Sequence, residues 1–185
     1  MLSSLKRLLN PQTTSRGTIE AIYGMIVAQA REPVFYQALG VPDTVNGRFD
    51  MVVLHLWLVM RRLRALDQGG PALAPGLSQA LFDWFCSDMD ANLREMGVGD
   101  LTVPKRMQKF GEAFYGRTAA YDAAIAAGGA AFADALARNV LNNPDPAGAA
   151  GLCRYAEAAM ARVDAIDIAT LKSGRWQFPQ PVVTA

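Results

Sequence analysis

Few residues in this chain could carry out chemistry, because its 185 residues include one histidine, His55, and two cysteines, Cys86 and Cys153. A metal centre held by several histidines is therefore excluded, and a Ser/His/Asp or Cys/His mechanism would have to use His55. The cysteines form no CxxC pattern, which argues against a zinc site and is typical of a reducing compartment. The sequence also lacks the GxSxG, GxGxxG and GxxxxGK[ST] motifs. We therefore expect no catalytic residues, no metal site and no cofactor.

His55 lies within the most apolar stretch of the chain, residues 51–60. Crossing a bilayer takes about 20 apolar residues, so this shorter stretch predicts a buried helix. A histidine in that setting is most simply a core residue bonded to a backbone or carboxylate group. Contact with a ligand or a quinone is the alternative.

Asp88 and Asp90 are not expected to act as a catalytic carboxylate pair, because residues two apart on a helix point in different directions. Asp88 instead flanks an apolar stripe beside Trp84, and Arg117 lies between two aromatic residues on the next predicted helix. A charge buried alone is costly, so we predict that Asp88 and Arg117 form an ion pair that braces the two helices. Direct contact of these charges with a binding partner is the alternative.

A basic cluster of Lys105, Arg106 and Lys109 begins the helix predicted after Pro104. The helix dipole disfavours cations at this end, so helix stability does not explain the cluster. It forms either a solvated surface or a binding face for ribosomal RNA, anionic lipid or an acidic partner. The formal net charge of the whole chain is only +1, so we expect no DNA binding.

Proline and glycine separate a series of helical hydrophobic patterns, and no alternating strand pattern lies between them. The hydrophobic share of 51% excludes a disordered chain. We predict an all-α fold, a single compact helical bundle of about six to seven helices with an extended C-terminal tail. The predicted helices cover about 18–31, a short segment after Pro33, 48–68, 77–96, 104–127, 130–142 and 147–171.

The chain divides into an N-terminal segment at 1–17, a helical domain at 18–172 and an extended tail at 173–185. The first ten residues place four leucines on one side of a short helix. This segment is either an amphipathic anchor on a membrane surface or a terminal helix docked on the core. Trp176 and Phe178 in the tail are expected either to pack on the helical domain or to bind a neighbour.

A combination of three motifs is specific enough to indicate a family: DMDxxLREMGVGD from Asp88, VPKxM from Val103 and FYGRxxAY from Phe114. With FYQALG from Phe35 and RFD from Arg48, the similar region covers about residues 35–142. On these motifs the sequence resembles the ubiquinol-cytochrome c chaperone family, assembly factors for the respiratory ubiquinol-cytochrome c reductase. The strongest matches are Phe82, Phe85, Asp88, Met89, Asp90, Leu93, Arg94, Glu95, Met96, Gly97, Val103, Pro104, Lys105, Phe114, Tyr115, Gly116, Arg117 and Tyr121.

The resemblance implies a non-enzymatic chaperone that holds newly made cytochrome b or another hydrophobic membrane-protein client. The residues themselves favour a cytoplasmic location, because Glu20 abuts the apolar run at 21–28 and Ile19, Ile22 and Ile26 give it the face of a core helix rather than of a signal peptide. Peripheral contact with the inner membrane is an open alternative. For mitochondrial members the resemblance also implies work beside the ribosome exit with a small partner protein. This sequence lacks a recognisable mitochondrial targeting extension and looks like a compact bacterial member, so both of those contacts stay open.

A chaperone for such a client needs an exposed apolar groove, in which flexible methionines such as Met89, Met96 and Met107 would adapt to the client. We expect client or partner contacts at Lys105, Arg106, Lys109, Tyr115, Arg117, Trp84 and Phe85. The aromatic candidates for the groove are Trp57, Trp84, Phe85, Phe110 and Phe114, and packing in the core is the default alternative for each of these aromatic residues and methionines. A lipid- or quinone-binding helical module is the alternative function, which a closed cavity rather than an open groove would favour.

Overall fold

The computed structural model describes residues 11–68, 76–143 and 145–182, with side chains from Arg16 onwards. These residues form an all-α fold, as predicted, and contain no strand. In chain order the elements are α1 (Pro11–Ala30), α2 (Pro33–Gln37), α3 (Val45–Gln68), α4 (Leu77–Glu95), α5 (Val103–Ala127), α6 (Ala131–Asn139), the 3-10 turn Pro146–Ala149, α7 (Ala150–Asp164) and α8 (Ile168–Ser173). Helix α1 begins at Pro11 rather than at residue 18, and the candidate anchor at 1–10 lies outside the described residues.

Helix α3 lies at the centre of the bundle. Every residue from 49 to 59 is buried, because apolar side chains surround this part of the helix instead of forming one stripe. Helices α1, α4, α5 and α7 all pack against it. Trp57 is completely buried, and its indole N–H donates a hydrogen bond to Oδ1 of Asp122 on α5 at 2.7 Å. The central helix therefore sets the position of its four neighbours.

The single helix predicted at 147–171 is wrong, because the chain breaks after α7 and begins again as α8. Asp167 has an extended backbone at the break, and its side chain accepts a hydrogen bond from the N–H of Thr170 as the N-cap of α8. The carbonyl of Ile166 accepts hydrogen bonds from Nε and Nη2 of Arg62 at 3.1 and 2.8 Å. A side chain from α3 thus satisfies a carbonyl at the break.

The C-terminal tail is extended, as predicted, and packs back onto the bundle. Gly174 ends α8 with a φ of +65°, and a Cβ at this position would lie 2.9 Å from the Cβ of Ala21. Trp176 and Phe178 are both buried, and Nε2 of Gln29 donates a hydrogen bond to the carbonyl of Pro179 at 3.3 Å. The tail aromatics therefore belong to the core.

His55 is a core histidine, as predicted, and is completely buried. Its Nδ1 lies 2.7 Å from the carbonyl of Met51, and its Nε2 lies 2.7 Å from the hydroxyl of Tyr155 on α7. Because a carbonyl only accepts, Nδ1 carries the proton and Nε2 accepts from Tyr155. Burial lowers the pKa of His55 to about 4, although the hydrogen bond to Met51 opposes this shift. His55 is therefore neutral at physiological pH and ties α7 to the central helix.

We expect Tyr155→Phe to lower the free energy of unfolding by about 1–3 kcal/mol, because it leaves Nε2 of His55 buried without a donor. Chemical denaturation measures the change. Tyr115→Phe is the matched control, since Tyr115 is 61% exposed. Equal stability of the two variants would contradict the proposed bond between α3 and α7.

Candidate functional site

An open groove of about 190 Å³ lies between helices α1, α3, α4 and α5. Val45, Phe49 and Val52 follow the i, i+4, i+7 spacing that brings residues to one side of α3. Met89 on α4 and Met96, the residue that follows the last turn of α4, also line the groove. The full lining is Val27, Arg31, Val45, Arg48, Phe49, Val52, Asp88, Met89, Asn92, Met96 and Phe110. We call this feature the apolar groove.

Charged groups at the apolar groove are largely engaged by neighbouring residues. Arg48 forms an ion pair with Asp43, with Nε 2.8 Å from Oδ1. The hydroxyl of Tyr23 donates a hydrogen bond to Oδ2 of Asp88 at 2.7 Å. Val45 and Met96 are 61% and 55% exposed, so the groove presents apolar surface at its mouth.

A second groove, of about 510 Å³, lies along the start of α5. Its lining is Asn46, Phe49, Thr102, Lys105, Arg106, Lys109, Phe110, Ala113 and Arg117. The side chains of Lys105, Arg106 and Lys109 are exposed, and none of them forms an ion pair with a described residue. We call this feature the cationic groove.

The two grooves share a wall made of Phe49 from α3 and Phe110 from α5. The rings are stacked, with centroids 4.9 Å apart and an angle of 21° between their planes. Phe49 also contacts the buried ring of Phe85 at 6.0 Å. The stack therefore connects the surface grooves to the core and separates an apolar surface from a cationic one.

A buried ion pair joins α3 to α5 behind this wall. Nε of Arg117 lies 2.6 Å from Oδ1 of Asp50, and the two side chains are 23% and 1% exposed. The Arg117 guanidinium also lies over the ring of Phe49, 5.6 Å from its centroid. Burial raises the pKa of Asp50 to about 6, although the nearby Arg117 acts in the opposite direction. Arg117 therefore compensates only part of the cost of burying this carboxylate.

The predicted ion pair between Asp88 and Arg117 is wrong. Arg117 instead pairs with Asp50, which is the more deeply buried carboxylate and has the greater need of a cation. Asp88 is only partly buried and is satisfied by the Tyr23 hydroxyl. The sequence did carry a signal for Asp50, since this acid directly precedes the apolar run at 51–60.

The remaining candidate residues fall into different environments. Phe85 is 1% exposed and packs against Phe114 at 5.6 Å, so its placement at a client contact is wrong. Trp84 is partly buried beneath the guanidinium of Arg16, 5.8 Å from the ring centroid, and lines neither groove. Tyr115 is exposed and lies outside both grooves. Sequence reasoning missed Val27, Val45 and Val52, whose β-branched side chains resemble ordinary core residues.

The family model described as "Ubiquinol-cytochrome C chaperone" matches residues 37–178. The chain belongs to this family. Most of both grooves falls within the matched region, including the whole contribution of α3, α4 and α5.

Solved and curated relatives of this family agree with the match. The crystal structure of the Cbp3 homolog from Brucella abortus superimposes with a TM-score of 0.81 at 35% identity, covering 97% of each chain. The ubiquinol-cytochrome-c reductase complex assembly factor 1 of Xenopus laevis is 26% identical over 72% of this chain. Its Mus musculus counterpart is 25% identical over 77% of this chain. The chain spans 66% and 49% of the lengths of these two relatives.

The segment LREMGVGD, residues 93–100, has a structural role at the end of α4. Arg94 forms ion pairs with Asp90 on its own helix and with Asp100 in the loop to α5. Gly97, with a φ of +78°, lets the chain leave the helix. This segment therefore fixes the loop that leads into the cationic groove.

In the described part of the chain, no helix is both long and apolar enough to cross a bilayer. The same part contains no group of three His, Cys, Asp or Glu side chains placed to hold a metal ion. Cys86 and Cys153 are free thiols of intermediate burial. Burial raises the pKa of both, that of Cys153 to about 11, so both are protonated at neutral pH.

We expect Arg117→Met to lower the free energy of unfolding by about 3–5 kcal/mol at pH 8, because it leaves the Asp50 carboxylate buried without its cation. The loss is smaller at pH 5. The pKa of Asp50 in the folded state lies above the usual 3.8. The carboxyl therefore contributes stability that is fully present below pH 3.8 and is lost as the pH rises through its folded-state pKa.

Denaturation of Arg117→Met at the two pH values is compared with that of Asp50→Asn/Arg117→Met, in which the titrating carboxyl is absent. His55 titrates in both chains, so its own contribution cancels. The same pH dependence in both variants would contradict the assignment of the effect to Asp50.

Proposed function

We propose that this chain is a non-enzymatic assembly chaperone for the ubiquinol-cytochrome c reductase complex. Its client is newly synthesised cytochrome b, or a related hydrophobic helical segment, which binds in the apolar groove. The observation that carries it is an open, methionine-lined apolar groove within the region that matches the family. The names of the frog and mouse relatives, both complex assembly factors, support the choice of complex.

The shape of the apolar groove suits a helical client better than an enclosed small molecule. A volume of about 190 Å³ accommodates a few side chains rather than a whole helix, as when an amphipathic helix lays its apolar face into a groove. Met89 and Met96 suit clients of varied shape, because methionine is flexible and polarizable. Both grooves are open to solvent, whereas a lipid- or quinone-binding module would call for a closed cavity.

The location and further partners belong to the same proposal. The protein acts in the cytoplasm, close to the membrane into which its client is inserted. Contact with the ribosome is an alternative use of the cationic groove, whose exposed lysines and arginine would attract RNA phosphates.

We expect Met96→Glu to reduce the amount of cytochrome b recovered with the tagged chaperone about tenfold, because a carboxylate replaces apolar contact area in the apolar groove. The measurement is a pull-down from native cells after mild crosslinking. Met96 is 55% exposed, so the substitution leaves the core unchanged.

Tyr115→Glu is the matched control, because Tyr115 is equally exposed but lies outside both grooves. Recovery of cytochrome b with Tyr115→Glu and not with Met96→Glu supports the proposal. Undiminished recovery with Met96→Glu, or no cytochrome b with the unaltered chain, would overturn it.

A further inference from the structure

Leu101 is the most exposed large apolar residue among those described, with a fractional exposure of 98% for the residue. It lies in the loop between α4 and α5, which backbone hydrogen bonds hold in a fixed turn. The N–H of Thr102 and the N–H of Val103 both donate to the carbonyl of Gly99, at 2.8 and 3.2 Å. The ion pair of Asp100 with Arg94 closes the loop on α4. This ordered turn thus holds an aliphatic side chain in water, an arrangement that does not stabilise the fold.

Three cations follow Leu101 within the first two turns of α5. Lys105, Arg106 and Lys109 are exposed and form no ion pair with a described residue. They lie at the positive end of the helix dipole, where cations are disfavoured. The nearby carboxylate of Asp100 is already paired with Arg94. These charges therefore remain available to an anionic partner.

We propose that Leu101, Lys105, Arg106 and Lys109 form a docking patch for a bilayer that contains anionic phospholipids. The cations meet the lipid phosphates, and Leu101 enters the boundary between the headgroups and the acyl chains. Binding of this patch to a lipid surface does not depend on the proposed chaperone function. It adds to that function a site at which the chaperone contacts the membrane. Met96, at the other end of the loop, lines the apolar groove, so docking brings the mouth of that groove to the membrane that receives the client.

A bilayer fits the docking patch better than RNA or an acidic protein. Base recognition on single-stranded RNA uses aromatic or guanidinium planes for stacking. The docking patch contains one guanidinium, that of Arg106, and no aromatic ring, and its most exposed side chain, Leu101, cannot stack on a base in this way. The formal net charge of +1 gives little long-range attraction for RNA outside this patch. The combination of an aliphatic tip with adjacent cations is what an anionic membrane interface selects.

The test is flotation of the purified full chain with vesicles of phosphatidylglycerol and phosphatidylethanolamine, compared with phosphatidylcholine vesicles. We expect binding to the anionic vesicles only, and weaker binding as salt is added. Lys105→Glu/Arg106→Glu/Lys109→Glu should weaken binding about 100-fold, and Leu101→Ser about tenfold. Thermal unfolding of the triple variant confirms its folding, which acidic residues at a helix start favour.

The matched control is Arg138→Glu/Arg162→Glu/Arg175→Glu, which reverses the same charge at exposed positions on α6, α7 and the tail. Retention of vesicle binding by this control, with loss in the first triple variant, supports the docking patch. Equal loss in both triple variants would show an effect of net charge and overturn the proposal. Vesicle binding that survives the first triple variant, or binding to ribosomal RNA without binding to vesicles, overturns it as well. No client is present, so failure here leaves the pull-down of cytochrome b unaffected.

Discussion

Asp50 is a residue of the central helix, and its carboxylate is buried in the bundle. The packing of α5 depends on the need to compensate this buried charge. A buried carboxylate is tolerated only with a close cation, and Arg117 of α5 provides it at 2.6 Å. Phe110 lies two helical turns before Arg117 on the same side of α5. The register that brings Arg117 to Asp50 therefore also stacks Phe110 on Phe49, the neighbour of Asp50 along α3.

The aromatic stack gives the surface its division into two grooves of opposite character. On one side, valines and methionines of α1, α3 and α4 present an apolar lining. On the other, the start of α5 presents exposed cations. One helix contact thus places a surface suited to a hydrophobic client directly beside a surface suited to lipid phosphates. A chaperone for a membrane protein would use both during insertion.

The sequence predicts the helices well because hydrophobic periodicity and the proline and glycine breaks are local signals. The helix predicted at 77–96, for example, is α4 (Leu77–Glu95). The break before α8 could not be predicted in this way, since the carbonyl of Ile166 at the break accepts its hydrogen bonds from Arg62 of another helix. The error over Asp88 has the same origin: which carboxylate receives Arg117 depends on helix register, which no local pattern specifies.

The candidate site shows the same limit. Three of the groove candidates, Met89, Met96 and Phe110, line the apolar groove, whereas Phe85, of the same residue type as Phe110, belongs to the core. Composition and spacing do not distinguish a core phenylalanine from one in a groove wall, because burial depends on which helices cover each face. The family resemblance came from contiguous motifs, and it is confirmed by the match over residues 37–178. The roles of Lys105, Arg106 and Lys109 in binding stay predictions.

The most direct measurement of the central claim is site-specific photocrosslinking from the apolar groove in cells that synthesise cytochrome b. A photoreactive residue at Met89, in the wall of the groove, is compared with one at Ala158, an exposed position on α7. Our account predicts an adduct with newly made cytochrome b from position 89 and none from position 158. An adduct from position 158 alone, or none from either position while the complex still assembles through this chain, would contradict it.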